Sequence, residues 1–137
     1  MPFDPGVREL FAGANFVHLA TRLPDGSPHT VAIWADVHDD DHVVFFTAPT
    51  SLKARNLERD PRTAMSLVDR DDPYRTGMLR GRLVQRIEGD EAAVIVDRIS
   101  HKYTGKPFPY PSGHAFVVEA TRSRMVHLEA FEDTPTT

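Results

Sequence analysis

The chain has 137 residues, no cysteine and a formal net charge of −4. A chain of this length forms one domain around one core, and we expect a single domain over residues 1–137 with a frayed tail at 132–137. The absence of cysteine excludes disulfides, thiolate catalysis and cysteine-ligated metals. The acidic balance argues against extended nucleic-acid binding.

No apolar run of the chain approaches the roughly 20 residues that a membrane-spanning helix needs. The N-terminal sequence also lacks the basic and apolar regions of a signal peptide. We therefore expect a cytoplasmic protein that does not bind membranes.

The first third of the chain predicts a helix followed by a meander of strands. Asp4 is typical of a helix N-cap, Pro5 of the first helical position, and Gly13 of a position near the helix end. Three strand-like runs follow, at residues 15–23, 29–37 and 42–47. Turn-forming sequences separate them, at residues 24–27 and 39–41. Two hairpins within 30 residues predict antiparallel pairing.

The rest of the chain predicts a short second helix, four more strands and a third helix. The strand-like runs are residues 62–68, 79–87, 115–120 and 125–128. Gly81 inside one of them predicts a bulge or a close backbone approach, and Asp90 is the expected N-cap of the third helix. About seven strands joined mostly by hairpins predict a mainly β fold with short helices, built as an antiparallel barrel.

The short second helix carries cations at the end where a helix favours anions. Thr50 or Ser51 can cap this helix, and Lys53 and Arg55 follow within about its first turn. An anion above the helix would explain the arrangement, because backbone N–H groups, a hydroxyl and an ammonium would all bind a phosphate. The alternative is a solvated helix with ordinary surface charges.

Other candidate residues have plain structural interpretations. The segment from His38 to His42 contains metal-ligating residue types, but consecutive residues at a hairpin tip diverge, so we predict a solvated turn and no metal site. Three aromatic residues could stack on a flat ring or pack in the core: Trp34, Tyr74 and Tyr103. Three arginines on one strand predict a solvated face, with a polyanionic ligand or a partner subunit as the alternative: Arg80, Arg82 and Arg86.

Several segments occur together in an order that carries a resemblance. They are residues 19–21 before Pro24-Asp25-Gly26-Ser27-Pro28, the strand ending in Phe46-Thr47, Ser51-Leu52-Lys53-Ala54-Arg55-Asn56-Leu57 with Arg59-Asp60-Pro61-Arg62, Asp71-Asp72-Pro73-Tyr74-Arg75, and the strand with Gly81. This order, over about residues 7–128, resembles the split-barrel flavin and deazaflavin oxidoreductases related to pyridoxamine 5′-phosphate oxidase. It most resembles the branch that uses the deazaflavin coenzyme F420.

The resemblance implies a split barrel and a homodimer with two cofactors at the subunit interface. The cofactor phosphate would bind Thr47, Ser51 and Lys53, with Arg55 near its charged tail. The ring would lie along the second strand, bordered by residues of either subunit. The implied cofactor-binding residues are His29, Val31, Ala32, Ile33, Thr47, Ser51, Leu52, Lys53, Arg55, Tyr74 and Arg75.

The implied activity is an F420H2-dependent reductase that passes a hydride from the deazaflavin to a small unsaturated substrate. No catalytic side chain is assigned, because the cofactor performs the chemistry and water can supply the proton. Val31 stands where pyridoxamine phosphate oxidases usually carry a phosphate-binding arginine, and residues 123–127 lack their basic substrate pocket. Two alternatives stay open: an FMN-dependent flavoprotein, and a non-catalytic protein that binds a flavin, a deazaflavin or haem.

Overall fold

A computed structural model describes residues 2–111 and 113–128 as one antiparallel sheet with three helices. The helices are α1 (Pro5–Ala12), α2 (Leu52–Arg59) and α3 (Gly89–Thr104). The strands are β1 (Val17–Arg22), β2 (Pro28–Ile33), β3 (Ala35–Val37), β4 (His42–Thr47), β5 (Arg62–Val68), β6 (Arg75–Ile87) and β7 (His114–His127). The predicted tail at residues 132–137 lies outside the described residues.

The strands lie in the order β2-β1-β5-β6-β7-β4-β3, so β2 and β3 are the two edges of the sheet. These edge strands are neighbours in the chain, because Trp34 alone separates Ile33 from Ala35. A sheet whose two edges are joined by one residue has to curl until the edges approach each other. The predicted antiparallel split barrel, mainly β with short helices, is therefore confirmed.

The predicted number of strands is confirmed, but several predicted boundaries are wrong. The run at 29–37 is two strands, since β2 pairs with β1 while β3 pairs with β4. The runs at 115–120 and 125–128 are one strand, β7, which continues through the polar residues between them because it pairs with β6 along its length. Strand β6 begins at Arg75, four residues before the predicted start.

The predicted helix ends are mostly confirmed. The Asp4 carboxylate accepts hydrogen bonds from the backbone N–H groups of Gly6 (2.8 Å) and Val7 (3.3 Å). Ser51, and not Thr50, is the N-cap of α2. The cap predicted at Asp90 is wrong, because α3 begins at Gly89 and its N-cap residue makes no side-chain capping bond.

Two apolar clusters hold the sheet and the helices together. The first fills the inside of the curled sheet and includes Phe45, Phe116, α1 and the Ala54–Leu57 turn of α2. The second lies between the opposite face of the sheet and α3, and includes Val44, Ile87, Ile95, Ile99 and Val117. Strand β4 is buried on both faces, which explains its unbroken apolar sequence.

Two bulges in the β6–β7 pair change which residues face the inside. The first falls at Gly81, as predicted, where a Cβ atom would overlap the carbonyl oxygen of Glu119. The second lies between Leu83 and Gln85. An extra residue in a strand shifts the alternation of its side chains between the two faces of the sheet by one position, so the side chains beyond it turn to the other face. None of the helices among residues 2–111 and 113–128 is long and apolar enough to span a membrane.

Candidate functional site

The split between the sheet edges leaves a cavity beside β4. Strand β3 begins at Ala35, which pairs with Phe45, so Phe46 and Thr47 of β4 extend past the start of β3. A cavity of about 250 Å³ opens there, which we call the Lys53 pocket. Its lining residues are Ala32, Ile33, Trp34, Phe46, Lys53 and Phe108.

A second cavity, of about 480 Å³, shares two of these aromatic residues, Phe46 and Phe108. Its remaining lining residues are Thr47, Ala48, Pro49, Tyr110, Pro111 and Gly113. The two adjacent cavities together have the size of an ordinary small-molecule site, roughly 300–1,000 Å³.

Aromatic rings form much of the wall of the Lys53 pocket. The Trp34 ring stacks on Tyr103 with centroids 5.2 Å apart and planes inclined by 6°. Phe46 meets Trp34 edge-on at 6.4 Å and Phe108 edge-on at 5.0 Å. Such a wall offers flat apolar contact to a ring-shaped ligand.

Ser51 presents a hydrogen-bond donor at the start of α2. Its Oγ atom accepts a bond from the Ala54 backbone N–H (3.2 Å) and one from the Thr47 hydroxyl (3.0 Å). A serine hydroxyl has two acceptor lone pairs and one donor proton. With both lone pairs engaged, the Ser51 proton is left to donate to a ligand at the helix N-terminus.

Lys53 is a half-buried cation with no carboxylate or hydrogen-bond acceptor beside it among the residues that the structure describes. Burial lowers its pKa, because a desolvated ammonium loses hydration. Arg62, by contrast, forms a bidentate pair with Asp60 at 3.0 and 2.8 Å. An anion in the Lys53 pocket would restore the electrostatic stabilisation that the ammonium loses on burial.

The other predicted residues of α2 lie on its exposed side. Arg55 is exposed and makes no ion pair within the described parts of the chain, and Leu52 is 38% exposed. Thr47 is brought next to Ser51 by the turn between β4 and α2. The structure therefore brings Thr47 next to Ser51, whereas Lys53 lines the neighbouring pocket and Arg55 and Leu52 are exposed.

The predicted residues of β2 have different surroundings. Ala32 and Ile33 line the Lys53 pocket. Val31 packs against the core inside the barrel, and it brings no charge to the site. His29 is half-buried, and its Nδ1 atom is buried without a hydrogen-bond partner among residues 2–111 and 113–128. Only the end of β2 thus contributes to the pocket within one protomer.

Tyr74 and Arg75 lie elsewhere in the protomer. Arg75 pairs with Asp69 at 2.8 Å and with Glu9 at 3.8 Å, in a cleft beside α1. Neither Tyr74 nor Arg75 is among the residues that line the Lys53 pocket or the cavity beside it. One protomer does not bring these two residues to the Lys53 pocket.

Sequence reasoning misses two residues of the wall, Phe46 and Phe108, and assigns Arg86 to the wrong face of its strand. Phe46 reads as ordinary core, and Phe108 lies in a proline-rich loop without periodicity, so neither carries a usable signal. Arg86 does not share a solvated face with Arg80 and Arg82, because the second bulge turns it inward. Its guanidinium lies 5.1 Å from the Phe116 ring centroid.

The segment from His38 to His42 forms the predicted turn. Its residues bond to one another: the Asp41 backbone N–H donates to the Asp39 carboxylate (2.9 Å), and His42 Nδ1 lies 2.6 Å from the same oxygen. The carboxylate is therefore used within the turn itself.

Comparison with known proteins assigns the family. The family model for pyridoxamine 5′-phosphate oxidase matches residues 3–132, and the chain belongs to this family. Its fold is that of flavin-binding oxidoreductases, as the resemblance implied. No curated protein sequence matches the chain.

Solved structures support the same fold. An F420 reductase is 28% identical with a TM-score of 0.75, over 85% of this chain and 94% of that one. A conserved hypothetical protein from Mycobacterium tuberculosis is 25% identical with a TM-score of 0.77, over 96% and 88%. An FMN-binding protein from Syntrophomonas wolfei shares the fold alone, at 14% identity and a TM-score of 0.65, over 88% of each chain.

Proposed function

We propose that the protein is an F420H2-dependent reductase that acts on a small unsaturated substrate. The observation that carries the proposal is the half-buried ammonium of Lys53, which has no carboxylate partner among the described residues, in the same helical turn as the donor hydroxyl of Ser51. This pair fits the phosphate of a flavin-like cofactor, and the aromatic wall next to it fits the ring. The likeness to an F420 reductase at 28% identity favours the deazaflavin.

In this proposal the cofactor supplies the hydride, and the chain binds, orients and shields it. Lys53 and Ser51 hold the anionic end, while Ala32 and Ile33 support the ring from β2. The rings of Trp34 and Phe46 exclude water from one side. Among the described residues that line the pocket, Lys53 is the only titratable group, so we assign the proton of the reduction to solvent.

We further propose that a homodimer completes the site. The resemblance implies that Tyr74 and Arg75 border the ring, yet neither residue lines the Lys53 pocket within one protomer. A second copy would bring them to the Lys53 pocket. The outer face of the sheet carries apolar side chains suited to such a contact, with Met78 54% and Val68 45% exposed.

An FMN-dependent flavoprotein is the second candidate, because the matching family model is that of pyridoxamine 5′-phosphate oxidase. The phosphate of FMN would use the same Ser51 and Lys53. Val31 disfavours this candidate, since it packs in the core where those enzymes usually place a phosphate-binding arginine.

Parallel titrations of the purified protein with F420 and with FMN test the proposal. We expect saturable F420 binding that is tighter than FMN binding, and F420H2 oxidation in the presence of enones or quinones. Preferential FMN binding would support the second candidate. Binding of neither cofactor would refute the assignment of the pocket.

A further inference from the structure

The last turn of α3 holds the junction between the two edge strands of the sheet. Lys102 Nζ donates hydrogen bonds to the carbonyl oxygens of Ala35 (2.5 Å) and Phe11 (2.9 Å). Its ammonium also lies 3.4 Å from the Asp36 carboxylate. One lysine of α3 thus ties the first residues of β3 to the end of α1.

Tyr103 holds the same junction from the next position of the helix. Its hydroxyl accepts a hydrogen bond from the Ala35 backbone N–H (3.3 Å) and donates one to the Asn15 carbonyl oxygen (2.5 Å). Both backbone polar groups of Ala35 are therefore bound by side chains of α3. Burial raises the pKa of Tyr103, which keeps the phenol protonated and able to donate.

Trp34 directly precedes Ala35, so the hydrogen bonds from α3 to Ala35 also restrain Trp34. Its ring stacks on the ring of Tyr103, packs against the α3 side of the sheet and forms a wall of the Lys53 pocket. Trp34 belongs to neither edge strand, and the paired residues Ile33 and Ala35 on either side fix only its backbone. The contacts with α3 orient its ring.

We propose that Lys102 and Tyr103 are positioning residues, and that they hold the Trp34 ring as the wall against which the planar ring of the bound ligand packs. The ligand class is a flat heteroaromatic molecule whose anionic end binds Lys53. The ligand class rests on the proposed function, whereas the placement of Trp34 does not. Stacking of a ligand ring on an aromatic wall is favourable by about 0.5–1.5 kcal/mol beyond simple burial, which corresponds to about 2- to 13-fold in affinity.

The fluorescence of the unliganded full chain tests the placement. Trp34 is the single tryptophan of the chain, so all tryptophan emission comes from the pocket wall. Iodide, an anion, should quench it efficiently relative to neutral acrylamide, because Lys53 lines the same cavity. We expect Lys53→Gln to abolish the iodide preference, and Tyr103→Leu to shift the emission to the red and raise acrylamide quenching.

Matched variants separate positioning from simple folding. Tyr103→Phe keeps the stacked ring and loses the hydroxyl, so its emission maximum should lie between the maxima of wild type and Tyr103→Leu. Lys102→Met should move the emission in the same direction, whereas Lys106→Met, at an exposed lysine outside the pocket lining, should not. If Tyr103→Leu does not fold, Tyr103→Phe and Lys102→Met decide the question. Wild-type emission and quenching in all folded variants would overturn the placement.

Titration with F420 and FMN tests the ligand contact. We expect either cofactor that binds to quench Trp34 saturably, and Tyr103→Leu to weaken binding by about 2- to 13-fold. Saturable binding that leaves Trp34 emission and the Tyr103→Leu affinity unchanged would overturn the contact and leave the proposed function standing. Absence of binding by both cofactors would refute the proposed function and the ligand contact, while the quenching experiment still decides the placement.

Discussion

Replacing Lys53 by alanine should separate a ligand-binding cation from a structural one. In the free protein the ammonium is half-buried and has no carboxylate partner in the parts of the chain that the structure describes. Its removal therefore leaves no buried acceptor unpaired and relieves a desolvation cost. We expect the thermal midpoint of Lys53→Ala to stay at or slightly above that of wild type.

The bound state should respond in the opposite direction. A charge-assisted hydrogen bond between an ammonium and a phosphate contributes about 1.5–3 kcal/mol, so the dissociation constant of F420 should rise by roughly 10- to 150-fold. Fluorescence titration measures this change, and calorimetric melting of the same samples measures stability. Lys106→Ala is the matched control, because Lys106 is exposed and outside both cavities.

The pH dependence of binding supplies an independent check. Burial lowers the pKa of Lys53, so the binding-competent ammonium is fully present below that pKa and is lost as the pH rises through it. Affinity of the wild type should fall as the pH rises through this pKa, whereas that of Lys53→Ala should not follow the same titration. Unchanged F420 affinity in Lys53→Ala would refute our reasoning about the site, and a lower melting temperature would make Lys53 a structural residue.

Three further substitutions test other parts of the argument. Ser51→Ala removes an N-cap and a ligand donor, so it should destabilise the protein by about 1 kcal/mol in urea unfolding and also weaken cofactor binding. Unchanged stability would contradict the capping role. Gly81→Ala places a Cβ against the Glu119 carbonyl oxygen and should destabilise by about 1–3 kcal/mol or more, and an unchanged urea midpoint would show that no close approach exists. The Arg62 hydrogen bond holds the pKa of Asp60 far below its usual value of 3.8. The melting-temperature advantage of wild type over Asp60→Asn should therefore be complete above about pH 5 and disappear as the pH falls through the folded-state pKa. A pH-independent difference would contradict the ion pair.

The cap and the cation at the start of α2 were predictable because their signals are local. Ser51 followed by Lys53 carries a capping residue and an oddly placed cation within three positions, and both effects act within one helical turn. The same holds for the Asp4 cap, the turn at His38–His42 and the bulge at Gly81. Each depends on backbone chemistry close to the residue itself.

The aromatic wall was not predictable from the same kind of signal. Trp34 looks like a strand residue because the apolar pattern continues across it, and only the pairing of β2 with β1 and of β3 with β4 shows that the strand is broken there. Phe108 comes from a loop whose position depends on α3 and β4. Arg86 faces inward because of the second bulge, and the sequence around Val84 carries no signal for that bulge.

The sequence by itself determined the antiparallel strands, the caps of α1 and α2, and the cation placed where a helix favours an anion, because short-range sterics and hydrogen bonding decide these features. The tertiary structure alone decided that the two edges of the sheet meet at Trp34, and that β4 extends past the start of β3 and leaves a pocket. It also decided that Lys53 lines this pocket with no carboxylate partner among the described residues, whereas Tyr74 and Arg75 do not line it. These features depend on strand pairing between residues distant in the chain, which no local pattern specifies.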